Sequence, residues 1–379
     1  MLVPNNKQKT KLFECAGVAR FAYNWVIHYE KICYEIGNDF MSDIELRKVL
    51  TQLKQTEKYK WLNNYSNNIT KQAIKDAVKS YIDFFKGKSR YPRYKKKRKC
   101  KLSFYVDTSK LQITETHVKL EKLTISKKAN KQQFNKVRLA ERNRIPLGVK
   151  YYNPRVSYDG INWWLTVGVE IEDKIEKETS YNEGIGIDLG IKELAVCSDK
   201  VVYKNINKTK KIRHLRRKER KIQRKISRKY LMNKKGGRYC KTKNIIKSEK
   251  KLLGIRHKIS NTRYNYLHQV TTEIINRKPK FIVLEDLNVK GMLKNKNLAK
   301  SIQEECFNKF YNLIGYKANR KGIEIIVADR WYPSSKKCIQ CGNIKKDLKL
   351  SDRVYKCDRC GNEIDRDYQA ALNLARYKI

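Results

Sequence analysis

Two pairs of cysteines constrain the last quarter of this chain more tightly than any other feature. Cys338-Ile-Gln-Cys341 and Cys357-Asp-Arg-Cys360 are separated by fifteen residues, and a glycine follows each pair, Gly342 and Gly361. This spacing offers four thiolates to one tetrahedral Zn²⁺ and leaves no open coordination position. A segment so short has no core of its own, so the metal supplies its folding energy. The rival reading, two redox dithiols, fits a ribbon-like spacing poorly. The other six cysteines, Cys15, Cys33, Cys100, Cys197, Cys240 and Cys306, are scattered singly. With no secretory leader in front of them, they point to a reducing compartment rather than a disulfide framework. A closed four-thiolate site performs no hydrolysis, so this zinc is expected to be structural.

Charge limits what the chain can bind. Its 379 residues hold 87 Lys and Arg against 38 Asp and Glu, a net charge of +49, and 40% are hydrophobic. That apolar fraction is enough for real cores, and the length suggests two or three domains. No run of about 18 apolar residues exists and the lysine-rich opening has no signal-peptide core, so no membrane association is expected. A cytoplasmic protein is the expectation. Self-repulsion on this scale is tolerable when a polyanion neutralises it, which makes nucleic acid the default partner over a bland lysine-rich protein. No glycine-rich loop precedes a Lys-Ser or Lys-Thr, so no nucleotide triphosphate is implied. The five histidines form no constellation; His214, His257 and His268 lie on basic helices.

Apolar spacing predicts helices over 7–36, 43–53 and 69–85. A basic, aromatic-rich stretch, 86–101, follows, in which Pro92 argues against helix and central strand. Short strands are expected at Ser103–Val106, Leu111–Ile113, His117–Leu120 and Leu123–Ile125. A hairpin with an Asp159-Gly160 turn joins Arg155–Tyr158 to Ile161–Ile171. Glu170–Glu178 looks like an acidic linker. A second domain begins near Tyr181, with strands at Gly184–Gly190, Leu194–Cys197 and Val201–Tyr203. The glycines of the first mark a close backbone approach. A basic helix over 211–230 is broken around Gly236-Gly237 and resumes from about Leu252. Then come a fully apolar strand, Lys280–Leu284, a helix over 298–321, a strand at Ile323–Ala328, the cysteine segment, and a last helix from about Asp367 to Tyr377. This order is that of an RNase H-like α/β sheet.

Three carboxylates stand at revealing places in that order: Asp188 in the first strand, Glu285 at the end of the apolar strand and Asp367 at the start of the last helix. In an RNase H-like sheet the first and fourth strands are neighbours and the last helix crosses them, so the three side chains converge. Desolvated carboxylates repel one another, and divalent cations relieve that cost. Mg²⁺ suits hard oxygen ligands, and two ions would serve an attacking water and a leaving oxygen in phosphodiester hydrolysis. Taken singly, each residue has a plainer reading as a turn, a strand end or a helix cap. Asp365 and Asp286 are their rivals in sequence. For nucleic-acid contact the candidates are Tyr91, Arg93, Tyr94, Lys95, Lys96 and Lys97, with tyrosines available for stacking, and Arg216, Arg217, Arg220 and Arg224 on the basic helix.

These residues sit in longer motifs. Gly186-Ile-Asp-Leu-Gly-Ile-Lys-Glu193, Val283-Leu-Glu-Asp-Leu-Asn-Val289, Tyr332-Pro-Ser-Ser-Lys-Lys-Cys338 and Asp365-Arg-Asp-Tyr-Gln-Ala-Ala-Leu-Asn-Leu374 resemble the TnpB family. Near the start, Val3-Pro-Asn-Asn-Lys-Gln and Ala19-Arg-Phe-Ala-Tyr-Asn24 do so as well. Members are transposon-encoded RNA-guided DNA endonucleases of bacteria and archaea, related to compact type V CRISPR effectors. The resemblance implies a RuvC triad of Asp188, Glu285 and Asp367, a non-coding guide RNA, and a target DNA chosen by base pairing beside a short flanking motif. It also implies a wedge-like β-barrel over 1–5 and 88–178 and a helical recognition bundle over 6–87. A RuvC-like domain would span 179–331 and 362–379, with a zinc ribbon inserted over 332–361. Two departures stand out. Gln369 occupies a position where the family usually has Asn, and the chain opens at Met1-Leu-Val-Pro where relatives carry a longer opening strand. An RNA-guided repressor without cleavage and an RNase H-like transposase acting without RNA are the alternatives.

Overall fold

The computed structural model describes residues 1–97, 99–124, 126, 128–170, 182–348 and 352–377. It divides into two compact units, Met1–Ile171 and Glu172–Ile379. Residues 171–178 of the expected acidic linker lie outside the described residues.

In the first unit, β1 (Leu2–Val3) runs straight into α1 (Asn6–Glu35). A reciprocal cap fixes the turn: Gln8 N–H donates to Asn5 Oδ1 at 2.8 Å and Asn5 N–H to Gln8 Oε1 at 3.0 Å. The buried stripe of α1, with Leu12, Cys15, Val18, Ala22 and Val26, follows the sequence periodicity. It packs along α3 (Asn67–Phe85), while α2 (Asp43–Leu53) also meets α3. Next come β2 (Leu102–Tyr105), β3 (Gln112–Ile113), β4 (His117–Lys119), the short α4 (Ala129–Gln132), β5 (Lys136–Leu139), β6 (Tyr151–Tyr158) and β7 (Trp163–Val169). The seven strands pair antiparallel in the order β2-β6-β7-β1-β5-β4-β3. Arg155 of β6 grips Asp76 of α3 through two bonds of 2.7 and 2.9 Å.

Three details differ from expectation. Leu2 pairs with both Leu139 and Trp163, so the brief opening segment supplies an interior strand. β5 was not foreseen, because four residues alternating Lys136, Val137, Arg138 and Leu139 barely stand out in a basic stretch. Leu123 and Thr124 are not strand: their N–H groups donate to Asn135 Oδ1 at 2.9 and 3.1 Å, so a side chain replaces the ladder. Ile125 lies outside the described residues.

The second unit is built on β8 (Ile185–Leu189), β9 (Glu193–Cys197) and β10 (Val202–Lys204). α5 (Lys210–Met232) and α6 (Lys243–Asn276) pack on each other. They are joined through a small hairpin, β11 (Lys234–Lys235) and β12 (Arg238–Tyr239), whose turn residues Gly236 and Gly237 have φ of +49° and +77°. α6 starts nine residues before the expected Leu252, capped by Thr242. β13 (Phe281–Glu285) is followed by α7 (Val289–Met292), α8 (Ala299–Glu305), α9 (Phe307–Arg320) and β14 (Glu324–Ala328). The single helix expected over 298–321 is broken at Cys306, where φ is +57°. Glu305 and Phe307 are both buried, yet an unbroken helix would turn them about 200° apart. β15 (Val354–Lys356) and β16 (Glu363–Asp365) form a hairpin, and α10 (Arg366–Ala375) closes the unit.

The main sheet has the order β10-β9-β8-β13-β14, antiparallel as far as β8 and parallel from β8 to β14. Its strands alternate faces. Ile282 and Leu284 enter the larger core with Ile187, Phe310 and Ile314, whereas Val283 packs with Leu374 of α10. α10 lies so close to β8 that a Cβ on Gly186 would stand 2.1 Å from Ala371 O and 2.3 Å from Ala375 N. Both are helix backbone atoms that cannot rotate away. Gly186→Ala is therefore expected to destabilise the second unit by about 2–3 kcal/mol or more, at the upper end of overpacking costs. Urea unfolding monitored by circular dichroism measures this, and an unchanged midpoint would contradict it.

Candidate active site and metal centre

The register of β8 against β13 brings two carboxylates together. Val283 pairs with Gly186 and Leu284 with Ile187, so the next step sets Glu285 opposite Asp188. Both share the parity of Val283 and Gly186, the residues that meet α10. Asp367 stands in the first turn of α10. Asp365 is the cap of that helix: its Oδ1 accepts from the N–H groups of Asp367 and Tyr368, both at 3.0 Å. Its carboxylate is thus engaged locally, and Asp367 is left to face the sheet residues. Asp286 is half-buried and ion-paired with Arg330 at 2.5 Å.

The electrostatics follow from this crowding. Burial, then the neighbouring charges of Glu285 and Asp367, raise the Asp188 pKa well above the ordinary carboxylate range, against a smaller opposing pull from Arg366. Burial also raises Glu285, opposed by a hydrogen bond from Ser334 and by Arg366. Asp367 has Arg366 Nε at 3.5 Å and Arg353 Nη1 at 4.0 Å. Such a set of mutually repelling hard oxygen donors fits divalent cations, which would be held by Asp188, Glu285 and Asp367. Two residues along α10, Gln369 is fully buried and neither of its amide atoms has a hydrogen-bond partner among the described residues.

The raised Asp188 pKa has a consequence for stability. Folded protein holds this proton at pH values where the unfolded chain has released it, so stability falls as pH rises from the unfolded value through the folded one. Asp188→Asn removes the penalty. In magnesium-free buffer at neutral pH the variant should melt above the parent, with the gap narrowing as pH is lowered towards about 4. Calorimetry at a series of pH values tests this, and a variant that melts no higher at neutral pH would refute it.

The four cysteines meet as their spacing requires. The Sγ atoms of Cys338, Cys341, Cys357 and Cys360 all lie within 4.8 Å of one another, with Cys338–Cys360 at 3.6 Å and Cys341–Cys357 at 3.5 Å. Four Zn–S bonds of tetrahedral geometry need sulfurs about 3.8 Å apart, so the cluster fits zinc. The two knuckles repeat one pattern. Cys338 N–H donates to Asn343 O and Cys357 N–H to Asn362 O, each at 2.8 Å, while Gly342 and Gly361 both turn with φ of +72°. Backbone N–H groups of Cys360 and, less strongly, Arg359 pull the Cys357 thiol down to about 6 despite burial, towards the thiolate a metal binds. Elemental analysis of purified protein should give one zinc per chain. Cys357→Ser should lower that content and make residues 332–365 sensitive to protease; full zinc occupancy in the variant would exclude the four-thiolate site.

The candidate nucleic-acid residues separate into two groups. Arg93, Tyr94, Lys96, Lys97, Arg217, Arg220 and Arg224 are exposed. Tyr91 is half exposed but its ring packs edge-on against Tyr81 and Phe84. Lys95 is held inward: its Nζ lies 3.5 Å from the centre of the Tyr23 ring and its backbone bonds the Asn24 side chain. Arg216 is ion-paired with Glu304 and only 24% exposed. Sequence reasoning missed a cleft of about 830 Å³ in the first unit, lined by Lys11, His117, Lys131, Lys136 and Arg138 among others. These residues span well over a hundred positions and only the sheet pairing gathers them, so no local spacing signals the cleft. It also gave Ser334 no role, although the residue lies in a motif it singled out.

Among the described residues no helix is long and apolar enough to cross a membrane. Three family models match the chain. One described as "Cas12f1-like, TNB domain" covers residues 307–374, "Probable transposase" covers 166–296, and "Helix-turn-helix domain" covers 1–38, a span that here holds the single helix α1. A Streptomyces pristinaespiralis protein named "Putative RNA-guided DNA endonuclease" is 30% identical over 98% of this chain and 86% of its own length. An Escherichia coli K12 protein of the same designation, InsQ, is 26% identical over 98% of this chain and 90% of its own. In a solved Cas12f1–sgRNA–target DNA complex, the protein shares the fold with a TM-score of 0.59 at 15% identity, over 98% of this chain and 83% of that one.

Proposed function

Because this chain belongs to the TnpB family of transposon-encoded RNA-guided DNA endonucleases, we propose that it binds a non-coding guide RNA and cleaves guide-matched DNA at Asp188, Glu285 and Asp367. The observation that carries this reading is that Asp188 and Glu285, on adjacent strands of a sheet ordered 3-2-1-4-5 as expected of a RuvC-like, RNase H-like domain, lie near enough to Asp367 in the first turn of α10 for both Glu285 and Asp367 to raise the Asp188 pKa. Bound Mg²⁺ would supply an activated water and charge neutralisation at the phosphate. The protein's own part is to hold ligands in place and keep bulk water away. Asp188 and Glu285 are fixed by adjacent strands, and Asp367 by the first turn of a helix that close packing locks to the sheet. Arg353 and Arg366 lie beside Asp367, where they limit the repulsion among the acids before a cation binds.

We read the seven-stranded sheet of the first unit as the wedge-like barrel and α1–α3 as its inserted recognition bundle. Residues 332–361 form the zinc ribbon. Arg217, Arg220 and Arg224 on α5, and Arg93, Tyr94, Lys96 and Lys97, are assigned to sugar–phosphate contact, which carries no sequence information. Sequence choice then rests on base pairing with the guide.

The test is to express the chain with its flanking transposon sequence, recover the bound RNA, and challenge the complex with plasmids bearing a guide-matched target beside a randomised flank. Cleavage is expected to need the RNA, Mg²⁺ and one flank motif. Asp188→Ala should lower it by more than the roughly 100-fold typical of losing an outer partner of a metal ligand, with RNA binding intact. Specific binding without cleavage would instead indicate a repressor. Strand transfer without a defined RNA would indicate a transposase.

A further inference from the structure

Glu285 is held by two other segments. Ser334 Oγ donates to its Oε1, and Tyr311 OH from α9 donates to its backbone carbonyl. Ser334 is 5% exposed and lies in the strap that leads from β14 into the cysteine module. The strap is itself pinned to α10. Asn373 Nδ2 donates to Ser334 O at 2.7 Å and to Lys337 O at 2.6 Å, and Tyr332 OH donates to Asn373 O at 3.1 Å. Lys337 directly precedes Cys338, the first thiol of the metal cluster. A continuous set of hydrogen bonds therefore runs from the cysteine module through Asn373 and Ser334 to the Glu285 carboxylate.

A hydroxyl bound to one carboxylate oxygen fixes the rotation of the group and leaves the other oxygen for a cation. A glutamate without that bond samples several χ3 orientations, most of which aim poorly. Resting on the nuclease reading above, we propose that Ser334 is a positioning residue that orients Glu285 for divalent cation, and that the zinc module holds Ser334 in place. The strap thus does more than connect a structural metal to the sheet. Ser335, the adjacent hydroxyl, has no such bond among the described residues and serves as the control position.

The experiment is a Mn²⁺ titration of the guide-RNA-bound protein, reading the free-ion signal by electron paramagnetic resonance, on the parent, Ser334→Ala, Ser334→Thr, Ser335→Ala and Glu285→Gln. Melting temperature and zinc content are measured alongside. Ser334→Ala is expected to weaken Mn²⁺ binding by about 10–100-fold, with zinc content unchanged. Ser334→Thr, which keeps the hydroxyl, should restore it, and Ser335→Ala should bind as the parent does. Parent-like binding by Ser334→Ala overturns the proposal, as does a folded, zinc-replete Ser334→Thr that fails to restore it, or equal weakening by Ser335→Ala. If instead the parent itself binds no Mn²⁺ that Glu285→Gln removes, the nuclease reading fails, and that outcome is distinct from failure at Ser334.

Discussion

Repulsion between buried carboxylates is the constraint around which the second unit is arranged. Asp188 and Glu285 face each other because β8 and β13 run parallel in a register fixed by Ile282, Val283 and Leu284. Neighbouring strands stand about 4.8 Å apart, so the two charges cannot escape without breaking the sheet. α10 then closes over them, admitted by the absence of a side chain at Gly186. Each stage of this packing buries apolar surface and at the same time desolvates an acid. The apolar gain holds in place a pair that would otherwise separate, and the neighbouring guanidinium of Arg366 and the hydroxyl of Ser334 offset part of the cost.

What could be foreseen from the chain was whatever local spacing encodes. The cysteine pairs name their metal through four residues and two glycines. Phe281 to Leu284 announces a strand buried on both faces, and its final Glu285 marks the end of that strand. Gly186 signalled close approach, and the reason is now specific: helix backbone at van der Waals limit. The rest depended on contacts between distant segments. Nothing near Arg216 indicates that Glu304 will capture it, and nothing near Lys95 shows that the Tyr23 ring lies beneath it. The break at Cys306 comes from the burial of Glu305 and Phe307 on different sides, a demand set by Asn205, Asn207 and the sheet rather than by helix propensity. β1 is two residues long, too short for any periodicity, yet it sits between β7 and β5.

Gln369 illustrates a tension of the same kind on a smaller scale. A buried amide without partners costs about 1–3 kcal/mol, and this one lies two residues beyond Asp367, the acidic residue of the first turn. Its neighbour on the same face, Asn373, has every reason to be buried, because its amide secures two carbonyls of the strap. One face of α10 therefore carries both an amide whose nitrogen secures two carbonyls and an amide without partners among the described residues.

The paired helices α5 and α6 bear on how the polypeptide could be divided. They are tied along their length by Ile212, Leu215 and Ile259, by Glu219 with Arg256 at 2.9 Å, and by Tyr230 with Glu249 at 2.7 Å. Their only covalent junction is the exposed tip at Gly236 and Gly237. Exposed tips of this sort tolerate interruption. A chain severed there would leave Asp188 on one fragment and Glu285 and Asp367 on the other, with the helix pair as the dimerisation element that reunites them. The acidic centre would then exist only in the reassembled pair, which makes the tip a natural place to put the protein under the control of a second, conditional interaction.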